Sequence, residues 1–245
     1  MEKAKQYIAN LQSLMANALD TQMDNVAQAA EIVADSIMKE GVVYVFGTGH
    51  SHMLAEELFY RAGGMPQIYP ILEESLMLHN GAIKSTHLER LEGYAESILS
   101  LLDCNENDCI IVASNSGRNA VNIEMALGAR DRKMKVIALT NLNHSTALKS
   151  RHKSGLKLYQ VADVVIDNLG CVGDASIPIP EAGGNIAATS TSMGAMLLHA
   201  VEVAAVEIML SKGFVPEVFS SSNLDEGDEI NERYLSKFKS RIKPL

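Results

Sequence analysis

The chain has 245 residues, 47% of them hydrophobic, enough for one sizeable core in a large α/β domain with appendages. Its formal net charge of −9 argues against nonspecific nucleic-acid binding, which needs basic patches, but not against phosphate ligands, which backbone N–H groups can hold. The cysteines Cys104, Cys109 and Cys171 form no CxxC pair, and the opening MEKAKQYIANLQ lacks a signal peptide's apolar core, so a reduced, cytoplasmic chain is expected.

Residues 2–40 read as two helical segments. Tyr7, Leu11, Leu14 and Met15, then Val26, Ala29, Ala30, Val33 and Ile37, recur at helical spacing, with a break at Asp20-Thr21 and a stop at Gly41. Residues 42–46 are β-branched and aromatic without polar alternation, as in a buried parallel strand. Residues 51–62 predict a helix closed by Gly63-Gly64, and residues 67–72 a second strand. Then come a short helix near 74–78, a turn at Asn80-Gly81 and a helix over 88–102. Residues 109–113 are the third strand, 117–133 a helix, 135–139 the fourth strand, 140–146 a polar loop and 163–166 the fifth strand. Residues 189–210 form a long apolar helix and 228–242 a terminal one. No apolar run reads as long and clean enough to span a bilayer, so neither membrane nor nucleic acid is an expected partner. Strands alternating with helices imply a doubly wound parallel sheet in three layers, with ligands beyond the strands' carboxyl ends.

Two strand-to-helix junctions carry the functional signal: VVYVFGTGHSHM at 42–53 and CIIVASNSGRN at 109–119. A helix N-terminus offers unpaired N–H groups and a positive dipole end, and Ser hydroxyls add donors, so two such turns at one sheet edge suit a phosphorylated small molecule. In the first turn, Gly47 and Gly49 allow a tight bend, and Ser51 and His50 are candidate donors to a phosphate. The dinucleotide fingerprint fails because His52 stands where its third glycine belongs, and no GK[ST] follows for a Walker loop. In the second turn Ser114 and Ser116 bracket the loop, Gly117 permits close backbone approach, and Arg118 and Asn119 open the helix; the bland alternative makes Ser116 an N-cap.

On these residues the chain resembles the sugar isomerase (SIS) domain family. The first turn is similar to its G-x-G-x-S loop and the second to its S-x-S-G-x-[ST] loop, while KVIALTN at 135–141 and ADVVI at 162–166 resemble its next strands, so the likeness spans roughly residues 25–212. It implies a five-stranded parallel sheet of flavodoxin-like topology, a sugar phosphate ligand, no cofactor, and dimers or tetramers. The domain organisation it suggests is N-terminal helices at 1–40, a phosphosugar-binding domain at 41–212 and a C-terminal loop and helix at 213–245. Two departures stand out: Asn119 replaces the last Ser/Thr of the second loop, and Arg118 offers a contact to phosphate or to a sugar carboxylate.

Aldose–ketose isomerisation moves a proton between C1 and C2 and needs a carboxylate base with a second acid/base. The position of the family's base Glu is Arg61 here, so Glu57, one helical turn earlier, becomes the candidate base, with a salt bridge to Arg61 as the alternative role. Glu73 and Glu74, after the second strand, are rivals, Glu74 foremost. His199, within MLLHAVEVAAVEIM, matches the family's catalytic His in place; a core histidine is the alternative. HSH in the first turn lacks the carboxylate spacing of a metal site, and 220–231 lacks that of a calcium loop, so no metal is expected and 220–231 reads as a capping loop. The expected activity is that of a phosphosugar isomerase similar to phosphoheptose isomerases. A non-catalytic phosphosugar sensor and an etherase or deaminase of amino-sugar phosphates are the alternatives. The apolar helices at 21–38 and 189–210 exceed what one thin domain buries, which also points to a homodimer or homotetramer.

Overall fold

The computed structural model describes residues 1–245. A five-stranded sheet lies at its centre, formed by β1 (Val43–Gly47), β2 (Ile68–Ile71), β3 (Cys109–Ala113), β4 (Lys135–Thr140) and β5 (Val164–Asp167). The spatial order is β2-β1-β3-β4-β5 and every pairing is parallel. The chain starts at an interior strand, steps outward to β2, then returns to the other side of β1. The order therefore reverses between β1 and β3, where a crevice opens beyond the carboxyl ends. Register makes this concrete: Gly47 and Ala113, the last residues of their strands, are direct partners. Both Gly/Ser junctions leave the sheet side by side.

Alternation along the strands sends odd and even residues to opposite faces. Val43, Val45, Ile111 and Leu139 share one core with α1 (Glu2–Thr21), α2 (Met23–Met38), α3 (Met53–Leu58) and α9 (Ser190–Ser211). Tyr44, Phe46, Ile110, Val112 and Ala138 share the other with α5 (Tyr94–Leu99), α6 (Ala120–Asp131) and α8 (Leu158–Val161). Both faces are covered, which is why β1 and β3 are buried along their whole length. On the first face α9 comes close to the sheet at Gly194, where a Cβ would stand 2.9 Å from Leu54 and 3.1 Å from Leu139. A side chain there would have to displace the tips of Leu54 and Leu139.

Several elements differ from the sequence expectation. The helix expected over 51–62 is a 3-10 turn, Gly49–His52, followed by α3, which stops at Leu58. Phe59 is extended and Tyr60 has φ 43°, because the following chain leaves the helix to pair with the C-terminal loop: Gly63 N donates to Phe219 O and Phe219 N to Gly64 O, each at 2.9 Å. The helix expected over 88–102 is only α5, which follows Gly93 at φ 83°, whose N–H is held by the Glu124 carboxylate, while α4 (Ala82–Leu88) before it was not expected. Residues 117–119 stay outside α6, so Asn119, not Ser116, occupies its N-cap position. The polar loop over 140–146 contains α7 (Leu142–Ala147), capped by Asn141 accepting from His144 N at 2.9 Å. An antiparallel hairpin, β6 (Ala175–Ile179) with β7 (Gly184–Ala188), was not expected, since its strands are short, Pro178 interrupts β6, and β7 lies mostly exposed. α10 (Gly227–Phe238) ends before the expected 242, and its Asn231 clasps the loop at Ser220 through two 2.9 Å bonds. Contrary to the sequence reading, α9 is long and apolar enough to cross a bilayer by length and composition; in this fold its Met193, Leu197, Leu198, Val201, Ala205 and Met209 lie in the core.

Candidate functional site

The first junction wraps tightly on Gly47, where a Cβ would lie 2.6 Å from the Ser51 carbonyl carbon and oxygen. Thr48 ties this turn to the opposite face, donating to Glu89 Oε2 at 2.9 Å and accepting from Asn122 Nδ2 at 3.1 Å. In the second junction Ser114 Oγ accepts from Gly117 N at 3.2 Å, and Thr140 Oγ1 donates to Ser114 O at 2.7 Å. Gly117 has φ 55°, so the left-handed region favours glycine there. Ser51 of the first turn and Ser114 and Asn115 of the second line one small crevice with Asn168, Ser190 and Thr191. The two junctions thus meet the start of α9 around a crevice of about 10 Å³, with Leu54, Ala113 and Leu139 completing its wall beside the hydroxyl and amide groups. The first amides of α9 are already engaged: Asp174 Oδ1 accepts from Thr189 N at 3.1 Å and Ser190 N at 3.0 Å.

The remaining expected residues are placed unevenly. Gly49 (φ 57°) opens the 3-10 turn with open space beside it, and His50 is exposed. His52 is buried, its Nδ1 turned onto Gly49 O and its Nε2 3.3 Å from Glu56. Ser116 is half-buried in the second turn. Arg118 is half-buried, with a buried Nε lacking any partner. Asn119 is buried and its Oδ1 accepts from Arg151 Nη1 at 3.0 Å, which leaves its amide hydrogens for the loop. Glu74 is exposed, accepts from Asn80 Nδ2 at 3.3 Å, and joins neither the crevice nor His199.

Glu57 and His199 do come together. Glu57 Oε1 lies 3.0 Å from His199 Nε2, and His199 Nδ1 lies 2.8 Å from Glu202 Oε2. Arg61, past the end of α3 rather than on it, still reaches Glu57 Oε1 with Nη1, which is also 3.5 Å from His199 Nε2. The hydrogen bond from His199, reinforced by the Arg61 charge, holds the Glu57 carboxyl below the usual carboxylate range. Burial pushes Glu202 the other way, and its Oε1 is buried without a partner. Glu202 was missed in the sequence, although His-x-x-Glu spacing puts both residues on one helix face. Asn168 and Asp174 were missed too, and nothing in the sequence marks them. Thr191 and His199 are eight residues apart on α9, about 12 Å along the axis, and side chains lean toward the helix N-terminus. The acid/base cluster therefore lies further along the α3–α9 interface, where His199 and Glu202 border a separate cavity of about 550 Å³ with Arg61, Met65 and Val206.

A second cluster sits on the opposite face. Glu92, Glu124 and His152 hold their ligand atoms within 4.8 Å of one another, but Glu124 already accepts from Gly93 N and Glu92 is paired with Lys153.

The family profile described as the SIS domain matches residues 6–141, more than half of the chain. This protein belongs to the SIS domain family. Relatives of similar length accompany it: the SIS chain is 44% identical over 225 residues to a UPF0309 protein of Halalkalibacterium halodurans, covering 92% of this chain and 93% of that one. It is 41% identical over 240 residues to a UPF0309 protein of Geobacillus thermodenitrificans, covering 98% and 96%. Among solved structures, the SIS fold here is similar to a phosphoheptose isomerase from Francisella tularensis, with TM-score 0.51, 19% identity and coverage of 86% of this chain and 97% of that one. The phosphoheptose isomerase of Neisseria gonorrhoeae gives TM-score 0.50, 18% identity and coverage of 83% and 96%. At such identities the likeness speaks for the fold.

Proposed function

We propose that this protein binds a sugar phosphate and interconverts its aldose and ketose forms. The observation that carries the reading is the Glu57–His199–Glu202 chain of hydrogen bonds between α3 and α9, the same two elements whose starts flank the serine-lined crevice. In this reading the phosphate docks against Ser51, Ser114 and Ser116 with the amides around Gly47, Gly49 and Gly117, and the sugar runs along the α3–α9 seam. Glu57 is the base: its depressed pKa keeps it ionised, and while Oε1 holds Arg61 and His199, Oε2 carries no hydrogen bond and is free to take the proton from carbon. His199 shuttles the hydroxyl proton through Nε2 once the substrate hydroxyl replaces Glu57 Oε1 on that nitrogen, and Glu202 fixes the ring through Nδ1. Glu74, exposed and bonded to Asn80, has no such partner, which favours Glu57 as the base.

Incubation with pentose, hexose, N-acetylhexosamine and heptulose phosphates in D2O tests the proposal. At least one should acquire deuterium at C1 or C2, and Glu57→Gln should slow that exchange by about 100-fold or more. Absence of deuterium from every sugar phosphate that binds removes the isomerase. The second reading, a sensor that binds without turnover, is favoured by one observation: Arg61 pairs with the carboxylate that would act as base.

A further inference from the structure

Arg90, Arg118 and Arg151 stand out because the chain is acidic and engages most of its other arginines, Arg233 on α10 excepted. Arg61, Arg132 and Arg241 form ion pairs with Glu57, Glu96 and Asp108, and Arg130 donates to Val161 O. Arg90, Arg118 and Arg151 have no carboxylate partner, yet three separate segments bring them to one place. Arg151 N donates to Arg118 O at 2.8 Å, and Val121 N, in the first turn of α6, donates to Glu89 O at 3.2 Å, which docks the Arg90 turn beside the same helix end. The Glu89 carboxylate accepts from Thr48 and makes no ion pair with the three, although its charge partly offsets the effect of Arg118 and Arg90 on Arg151. Burial, followed by the charges of Arg118 and Arg90, pushes Arg151 below its ordinary range. The Arg118 guanidinium makes no hydrogen bond within the chain, although its Nε is buried. Asn119 does not cap α6 with its side chain, since Arg151 holds its Oδ1. A helix N-terminus without a side-chain cap, its Val121 N held by Glu89 O, thus adds its dipole to three guanidinium groups that have no carboxylate in ion-pair reach.

Position decides what such a cluster is for. Arg118 follows Gly117 in the second turn, and α6 packs on the face of the sheet opposite α3 and α9. A phosphate between the two turns would have its sugar on the Glu57–His199 side and the arginines on the other side. A second negative charge on the sugar itself would point away from them. A phosphoryl group bonded to the first phosphate would point toward them.

We propose that the ligand is a sugar diphosphate ester, with its proximal phosphate between the serine turns and its distal phosphoryl group on Arg90, Arg118 and Arg151. The proposal rests on the phosphosugar reading above and narrows it to one substrate class. Arginine suits this role, since its planar fork pairs with phosphoryl oxygens two at a time.

Isothermal titration of the full chain at fixed ionic strength tests it, comparing inorganic phosphate with pyrophosphate, and ribose 5-phosphate with ADP-ribose, which lengthens the same sugar phosphate by one phosphoryl group and a nucleoside. Pyrophosphate and ADP-ribose should each bind at least about tenfold tighter than their partners, and Arg90→Gln, at an exposed position, should collapse both ratios. Fructose 1,6-bisphosphate should gain nothing over fructose 6-phosphate. Equal affinities within the pairs, ratios that survive both Arg90→Gln and Arg151→Gln, or an equal gain for the 1,6-bisphosphate would each overturn the diphosphate while leaving the phosphosugar reading standing. Failure of every phosphorylated sugar to bind would remove both.

Discussion

Replacing Gly47 with Ala puts the geometry of the first junction to a direct test. The added Cβ would stand 2.6 Å from the Ser51 carbonyl carbon and oxygen and 2.8 Å from Ser51 Cβ. Carbon atoms in contact sit about 3.5–4.0 Å apart, so the turn must lift by about 1 Å. The obstacle is backbone, not the far end of a flexible side chain, so the cost falls near the top of the overpacking range, about 3 kcal/mol. For a chain of this size each kcal/mol moves the melting point by about 2–4 °C, which predicts a loss of about 6–12 °C. Gly49→Ala is the comparison: it meets open space, and only its φ of 57° penalises the new side chain, by about 1–2 kcal/mol. Calorimetry of both variants measures the difference, and titration with ribose 5-phosphate reads the function. Because Gly47→Ala displaces Ser51, affinity should fall by about tenfold or more. A Gly47→Ala protein that melts within a degree of the parent, or less deeply perturbed than Gly49→Ala, would refute the argument that this turn is held by close approach to Gly47.

Other outcomes follow from single contacts. Asp108 is fully buried and accepts from Val42 N and Asn105 N, each at 2.7 Å, while Arg241 pairs with it at 3.0 Å. Arg241→Ala leaves that carboxylate with its two amides only, so urea unfolding should show a loss of about 3 kcal/mol, the low end for breaking a buried pair. Glu57 is depressed by His199 and then Arg61, so its share of stability is present above the ordinary carboxylate pKa and is lost as pH falls through the lower folded value. Melting curves from pH 5 to about 3 should therefore be steeper for the parent than for Glu57→Gln, and equal slopes would contradict the pairing. On the outer side of α9, Val203 is 61% and Leu210 52% exposed. A second copy covering that side should give a dimer or tetramer by light scattering, with Val203→Asp shifting mass toward the monomer; a parent monomer at micromolar concentration would count against it.

What could be read from the chain alone was whatever local chemistry fixes. Continuous apolar runs gave β1, β3 and β4 because both faces of a parallel sheet are covered, and GTGHS and SNSGRN marked the junctions because tight turns there need glycine and serine. His199 and Glu57 were named from a family likeness, and their separation of 142 residues gave no sign that they touch. Tertiary contacts decided the rest. Phe219 draws the chain off α3 after Leu58, so Arg61 meets Glu57 from beyond the helix end. α9 packs against α3, with Gly194 beside Leu54, and that packing brings Glu57 and His199 together. The arginines at 90, 118 and 151 gather through backbone bonds between segments far apart in sequence. Periodicity and turn chemistry act over a few residues, whereas a site built across the sheet's switch point depends on which distant segments the packed core leaves adjacent.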